Sequence, residues 1–153
     1  MSYASVNDVA ALFRDVDITS TNAAVTIAKI TDFLASSTAI INARLNGLYQ
    51  LPITLEVNPA SFAILKQVES FYVASIVDDI LNTYSEADKK PTWYKKAMDL
   101  LEQVAPKKSS DGKQADPSML LPDATYLGTQ LQKSKVKMSS TDSTVFRKGE
   151  NNW

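Results

Sequence analysis

The sequence predicts an all-α fold: a small helical bundle with two long antiparallel helices, short flanking helices and an extended C-terminal arm. Two stretches of the 153-residue chain carry apolar residues at intervals of three, four or seven, which is the spacing of one helix face. Helix-start and helix-stop residues flank both stretches. The apolar and charged fractions, 44% and 22%, are those of an ordinary globular protein, and this length favours one domain.

The first predicted helix is short and covers about residues 5–13. Ser5 and Asp8 have the spacing of a capping box, in which each side chain binds the other residue's backbone N–H. The second predicted helix is long and covers about residues 26–49. Gly47 and the pair Leu51-Pro52 mark its end, because proline disfavours helix in the residue before it.

The third predicted helix covers about residues 59–84. Asn58-Pro59 is a strong start signal, since asparagine caps well and proline at the first helical position sacrifices no hydrogen bond. A shorter helix over about 92–105 follows a polar turn and is closed by Pro106. Two long amphipathic helices joined by a short connection are expected to pack together, because neither can bury its apolar face alone.

The chain divides at residue 106 into a helical body, 1–106, and a linker with an extended arm, 107–153. The body has 8 basic and 12 acidic residues and the remainder has 8 and 5, so their net charges are -4 and +3. Residues 107–118 have the polar composition of a linker, and Lys133 to Met138 alternate as an extended strand would. An acidic folded body with a basic appendage indicates that the appendage binds a partner.

Composition excludes several chemistries. The chain has no cysteine and no histidine, so disulfides, zinc sites built on those ligands, cysteine nucleophiles and the Ser-His-Asp triad are all ruled out. Its four glycines are scattered singly, which does not favour a phosphate-binding loop. The N-terminus lacks the pattern of a signal peptide, and the sequence predicts no membrane span. We therefore expect no enzymatic activity, no cofactor and no metal.

Two motifs have a chemical interpretation beside a structural one. Asp78-Asp79 could suggest a metal site, but neighbouring helix residues point about 100° apart, so a solvated or inter-subunit charged face is the favoured interpretation. The basic arm could contact nucleic acid through phosphates without sequence preference. A Ser-Lys nucleophile pair would need no histidine, but the nearby pairs, such as Ser134-Lys135, lie in the predicted arm, where nothing positions them.

The order of features along the body resembles that of the head-tail connector proteins of tailed bacteriophages, including the small Mu-like family and the wider adaptor, or head-completion, group. The resemblance rests on Tyr-Ala-Ser-Val-Asn-Asp-Val at 3–9, on Ile-Asn-Ala-Arg-Leu-Asn-Gly-Leu-Tyr at 41–49, on Leu51-Pro52-Ile53 and on the helix that begins at Pro59. It covers roughly residues 3–105. The arm matches no motif of the family.

The resemblance implies a structural virion protein, assembled in the host cytoplasm and located in the neck between head and tail. Such proteins form a ring, typically a dodecamer, that binds the portal protein on one side and a tail, stopper or tail-terminator protein on the other. Genomic DNA passes through the lumen without specific recognition, and no membrane is involved. An acidic body would repel that DNA if its charges line the lumen.

The arm is the predicted contact with the portal or with a neighbouring subunit, because its apolar and basic residues have no core to join. The candidate residues are Val136, Met138, Val145, Phe146, Arg147, Lys148 and Trp153. Two other classes of function remain. A small helical phage DNA-binding or packaging-associated protein would use the basic arm on DNA, and an enzyme would need a carboxylate-metal site that includes Asp78 or Asp79.

Overall fold

A computed structural model describes residues 2–13, 24–81, 92–107 and 115–128. Over these ranges the protein consists of four α-helices and has no β-strand beyond isolated bridges: α1 (Val6–Ala10), α2 (Ile27–Leu45), α3 (Pro59–Leu81) and α4 (Thr92–Val104). The predicted all-α class is confirmed.

Helix α1 has the predicted capping box but is shorter than expected. The Asp8 N–H donates to the Ser5 hydroxyl over 3.3 Å, and the Ser5 N–H donates to the Asp8 carboxylate over 2.9 Å. The predicted end at residue 13 is wrong, because the helix ends at Ala10. Beyond it, the N–H groups of Leu12 and Phe13 bind carbonyls three residues back, which is the tighter geometry of a turn.

The Thr26 side chain caps helix α2, which agrees with the predicted start near residue 26. The helix ends at Leu45 rather than at the predicted residue 49. Gly47 has a φ of 87°, a left-handed conformation that favours glycine and breaks the helix. The N–H groups of Leu48 and Tyr49 both bind the Leu45 carbonyl. This turn keeps the Leu48 and Tyr49 side chains buried. The spacing of these two residues in the sequence therefore resembles that of a continuing helix, although the backbone is no longer helical.

Helix α3 begins at Pro59 as predicted and is described to Leu81, so the predicted end near residue 84 lies outside the described residues. Helix α4 ends at Val104, one residue before the predicted end. Helix α3 packs on α1, α2 and α4. By length and composition alone, α3 could cross a membrane. Its contacts with the other three helices cover much of its apolar surface, however, as in a core helix.

The core forms two apolar clusters that show how the helices run. In one cluster the end of α2 and the first half of α3 meet the end of α4, through Ile41, Leu45, Leu65, Val68, Leu101 and Val104. In the other, the start of α2 meets the second half of α3 and the start of α4, through Ile30, Leu34, Val73, Ala74, Val77 and Trp93. Helix α3 is therefore antiparallel to both α2 and α4, and the predicted antiparallel pair is present.

Residues 115–128, which we call the strap, pack on the helical body although the sequence assigned them to the linker and arm. Leu121 is buried in the same cluster as Leu45 and Leu101, and Met119, Ala124 and Tyr126 pack around it. Burying a leucine side chain stabilises a fold by about 1.5–3 kcal/mol. The folded body therefore does not stop at residue 106.

Candidate interaction site at the strap end

The strap caps helix α3 with a carboxylate that comes from far along the chain. The first N–H groups of a helix have no partner within it. In α3, the Ala60 and Ser61 N–H groups donate to the two carboxylate oxygens of Asp123 over 2.8 and 2.9 Å. The Ser61 hydroxyl also donates to this carboxylate. Asp123 therefore fills the position that a local capping side chain normally takes.

Asn58, which the sequence predicts as the cap of α3, has a different role. Its side-chain amide donates to the Asp123 carbonyl over 2.5 Å, so it holds the strap backbone. Desolvation raises the pKa of Asp123, but the hydrogen bonds from Ser61 and Ala60 outweigh it and leave that pKa below its ordinary value. The predicted start of α3 is correct, whereas its predicted cap is wrong, because the capping group belongs to a segment that only the fold brings close.

Tyr49 links three parts of the body at this end. Its side chain is 1% exposed, and its hydroxyl donates to the Val104 carbonyl of α4 over 3.1 Å. The same hydroxyl accepts from the Leu121 N–H over 3.4 Å. Desolvation by burial raises the pKa of Tyr49. The buried hydroxyl thus has both a donor and an acceptor partner, which compensates the cost of removing it from water.

A short ladder of backbone hydrogen bonds continues the contact. Tyr49 and Tyr126 form an antiparallel bridge, flanked by the Gln50 N–H bound to the Thr125 carbonyl over 2.9 Å and the Leu127 N–H bound to the Leu48 carbonyl over 2.7 Å. The strap is thereby held in one register against residues 48–50.

Tyr126 closes the strap on itself. The Tyr126 hydroxyl donates to the Asp116 carboxylate over 2.8 Å. Desolvation is the largest cause that raises the pKa of Tyr126 to about 12, and Asp116 adds to it. Glycine at position 128 leaves room for the Tyr126 ring, because a Cβ at that position would overlap the hydroxyl end of Tyr126. The strap is therefore an ordered loop with its own internal contact.

The strap end of the body, which comprises residues 46–58, the start of α3, the last turn of α4 and the strap, also exposes apolar surface. Leu55, Val57 and Leu120 are the most exposed large apolar side chains of the described residues, at 61%, 72% and 54%. Leu55 and Val57 lie in the turn before α3, and Leu120 lies beside the buried Leu121. Exposed apolar side chains grouped at one end of a folded body are typical of an interaction surface.

A second polar cluster is buried deeper in the body, between α2 and α3. Glu69 is 0% exposed and accepts hydrogen bonds from the Ala4 N–H over 2.5 Å, the Ser37 hydroxyl over 3.0 Å and the Thr38 hydroxyl over 2.5 Å. Burial raises the pKa of the neighbouring Tyr3 to about 12, and the Glu69 carboxylate adds to that shift. The cluster attaches the N-terminal segment to the body, as a buried carboxylate with several donors can.

An aromatic cluster lies where α3 meets the start of α4. The Lys96 ammonium group lies over the rings of Phe71 and Trp93, at 5.7 and 5.2 Å from their centroids. Tyr72 and Tyr94 pack beside each other with centroids 6.1 Å apart. These contacts join α3 to α4.

The arm residues predicted to bind the portal or a neighbouring subunit, Val136, Met138, Val145, Phe146, Arg147, Lys148 and Trp153, all lie outside the described residues. Asp79 is exposed at the end of α3 and Asp78 is half-buried. Within the described ranges no group of three or more acidic side chains is placed to hold a metal ion.

Sequence analysis missed Asp123 and Glu69. Asp123 does not directly precede a helix, because residues 124–127 are not helical, and its partners are 62 and 63 residues away. Glu69 is the one charged residue among the buried residues of α3, and it lies between Val68 and Ser70. An acidic residue on the buried side of a predicted helix is a signal of a buried hydrogen-bond acceptor, and this signal was available.

The described residues thus form a small all-α fold in which the strap packs back on the helical body. Comparison of the chain with protein-family models, with curated proteins and with solved structures found no match.

Proposed function

We propose that this chain is a head-tail connector of a tailed bacteriophage, a structural protein that joins the portal of the DNA-filled head to the tail. In this role it forms a ring, its arm attaches it to the portal or to a neighbour, and DNA passes through the lumen. The proposal rests first on the resemblance of residues 3–105 to the connector proteins, and the four-helix body is compatible with it.

One structural observation carries the proposal further. The chain continues from Gly128 into the arm at the strap end, where Leu55, Val57 and Leu120 are exposed. The last described residue before the arm and the exposed apolar side chains therefore lie at one end of the body. Many copies in a ring would convert a weak contact of each arm into firm attachment. Once one arm has bound, the remaining arms are held close to their binding sites, which raises their effective concentration.

The direct test is native mass spectrometry of the full-length chain mixed with the portal ring encoded by the same genome. We expect a discrete complex that contains a ring's worth of copies. A chain that stays monomeric and does not bind the portal at any concentration tested would refute the connector role.

The arm is tested by removing residues 133–153. We expect portal attachment to be lost while the helical circular-dichroism signal is nearly unchanged, because the described helices end at Val104. A full-length control with Val145→Ser and Phe146→Ser separates loss of apolar contacts from loss of chain length. Unaltered attachment after truncation would contradict the role of the arm. Binding of the intact chain to DNA that weakens steeply with salt would instead favour the DNA-binding alternative.

A further inference from the structure

We infer that the strap end is the binding surface for residues 133–138, at the start of the chain's own arm. The inference goes beyond the proposed function, because it names what covers the exposed apolar side chains of the body. Leu55, Val57 and Leu120 are 61%, 72% and 54% exposed. Removal of such side chains from water favours the binding of an apolar partner.

Contacts of the strap bring these three side chains to one surface. Leu55 and Val57 lie in the turn before Asn58, and the Asn58 amide donates to the Asp123 carbonyl over 2.5 Å. Leu120 lies three residues before Asp123. The surface is therefore formed by two segments that are distant in the sequence, the turn before α3 and the strap.

The charged residues of this end of the body are all acidic. Residues 46–62, the last turn of α4 at 101–104 and the strap contain no basic residue and four acidic ones, Glu56, Glu102, Asp116 and Asp123. All four are exposed, and Glu56 lies between the exposed Leu55 and Val57. The surface therefore favours a partner that is both apolar and basic, because complementary charges select the partner of an interface.

Residues 133–138 have this chemistry. Their sequence is Lys-Ser-Lys-Val-Lys-Met, with three basic residues and no acidic one. When such a segment binds in an extended form, Val136 and Met138 share one side and the lysines share the other. A lysine stem can lie along an apolar surface while its ammonium group reaches an acidic neighbour. Val136 and Met138 are therefore the residues that cover the exposed apolar side chains, and the lysines pair with the acidic residues around them.

The connection along the chain favours the chain's own segment over the same segment of another copy. The Leu127 N–H binds the Leu48 carbonyl over 2.7 Å, which holds the end of the strap on the body. Lys133 follows Gly128 by five residues. A segment joined so closely to its surface meets it at a much higher effective concentration than a segment of a separate molecule. The portal would then be bound by later arm residues, among them Phe146 and Trp153.

The absence of cysteine in this chain allows a spin label at one chosen position. Ser134→Cys in the full-length chain carries the nitroxide next to the binding segment without replacing an apolar or basic residue. The label attenuates the NMR signals of nearby backbone amides, which are compared before and after the nitroxide is reduced. We expect attenuation at residues 54–57 and 119–121. Residues 28–32 should keep their signals, because the start of α2 belongs to the other apolar cluster of the body.

A mixed sample separates contacts within a chain from contacts between copies. It contains a ¹⁵N-labelled chain without the nitroxide and an unlabelled chain that carries it, so only contacts between copies attenuate the signals. We expect no attenuation in this sample. Equal attenuation in the mixed sample would overturn the assignment to the chain's own segment. A strap end without attenuation in either sample would overturn the inference as a whole.

Charge reversal tests why this segment binds. The double variant Glu56→Lys/Glu102→Lys should lose most of the attenuation, whereas the matched control Asp32→Lys, on the exposed face of α2, should keep it. An increase from about 0.1 M to about 1 M salt should also weaken the attenuation, because the screening length falls from about 10 to about 3 Å. Attenuation that survives both changes would overturn the charge complementarity on which the choice of segment rests.

These measurements are made without the portal, so their outcome is independent of the connector role. Attenuation at the strap end in a chain that does not bind the portal would support the inference and refute the connector role. A chain that binds the portal but shows no attenuation would overturn the inference and leave the connector role intact.

Discussion

Glu69 offers the sharpest test of what holds the body together. Its two carboxylate oxygens have different partners: one accepts from the hydroxyls of Ser37 and Thr38, and the other accepts from the Ala4 N–H. Both hydroxyls also lie 2.9 Å from the Leu34 carbonyl, which gives each an alternative acceptor. Within the described part of the chain, the Ala4 N–H has no such alternative acceptor. The effect of a substitution should therefore depend on whether it keeps an acceptor for Ala4.

Glu69→Ala removes that acceptor and leaves a cavity. An unsatisfied buried N–H costs about 1–3 kcal/mol, and a cavity of this size adds about 2 kcal/mol, so the free energy of unfolding should fall by about 3–5 kcal/mol. Glu69→Gln retains one oxygen, which can face the Ala4 N–H, while its amide group donates to the hydroxyls and these turn to the Leu34 carbonyl. We expect it to cost about 1 kcal/mol.

The assay is urea denaturation at neutral pH, followed by circular dichroism, with the wild-type chain and both variants measured side by side. Equal losses for Glu69→Gln and Glu69→Ala would refute the assignment of separate partners to the two oxygens. Losses below about 0.5 kcal/mol for both would show that the buried cluster does not stabilise the fold.

Two further predictions concern the strap. Leu121→Ala should lower the free energy of unfolding by about 2–3 kcal/mol in urea denaturation because it empties a buried site, whereas the adjacent, exposed Leu120→Ala should change it by less than about 0.5 kcal/mol; similar values for the two would contradict the packing described above. Because hydrogen bonds lower the pKa of Asp123, its contribution should be complete above the unfolded-state pKa of about 3.9 and should disappear as the pH falls through the lower folded-state pKa. The protection of the Ala60 and Ser61 amides from hydrogen exchange, relative to an unstructured peptide at the same pH, should fall in that acidic range in the wild-type chain, and Asp123→Asn should remove this pH dependence; a wild-type chain that keeps its protection would contradict it.

The sequence determines the helices well because their signals are local. The capping box of Ser5 and Asp8 and the Pro59 start each involve residues within one turn, and the structure contains both. Helix ends were less predictable. Leu48 continues the helical spacing of Ile41 and Leu45, so periodicity alone could not distinguish a helix from the turn at Gly47 that buries the same side chain.

The candidate site was harder to predict because its contacts join distant parts of the chain. Asp123 and Ser61 are 62 residues apart, and no local pattern links a polar segment after Pro106 to the first turn of α3. The apolar residues within 115–128 follow no period, which indicated neither helix nor strand but did not reveal that Leu121 completes the core of the body.

Two long-range polar contacts of α3 also bear on the order in which the described body folds. One joins the Ala4 N–H to Glu69 across 65 residues, and the other joins the Ser61 N–H to Asp123 across 62. Contacts of such separation form late, because the chain entropy lost in closing a long loop is recovered only when the contact is made. During synthesis α3 emerges long before Asp123 does, so its first turn stays without its acceptor until the strap has been synthesised. A nascent chain that stops short of the strap is therefore expected to hold its helices without completing its fold.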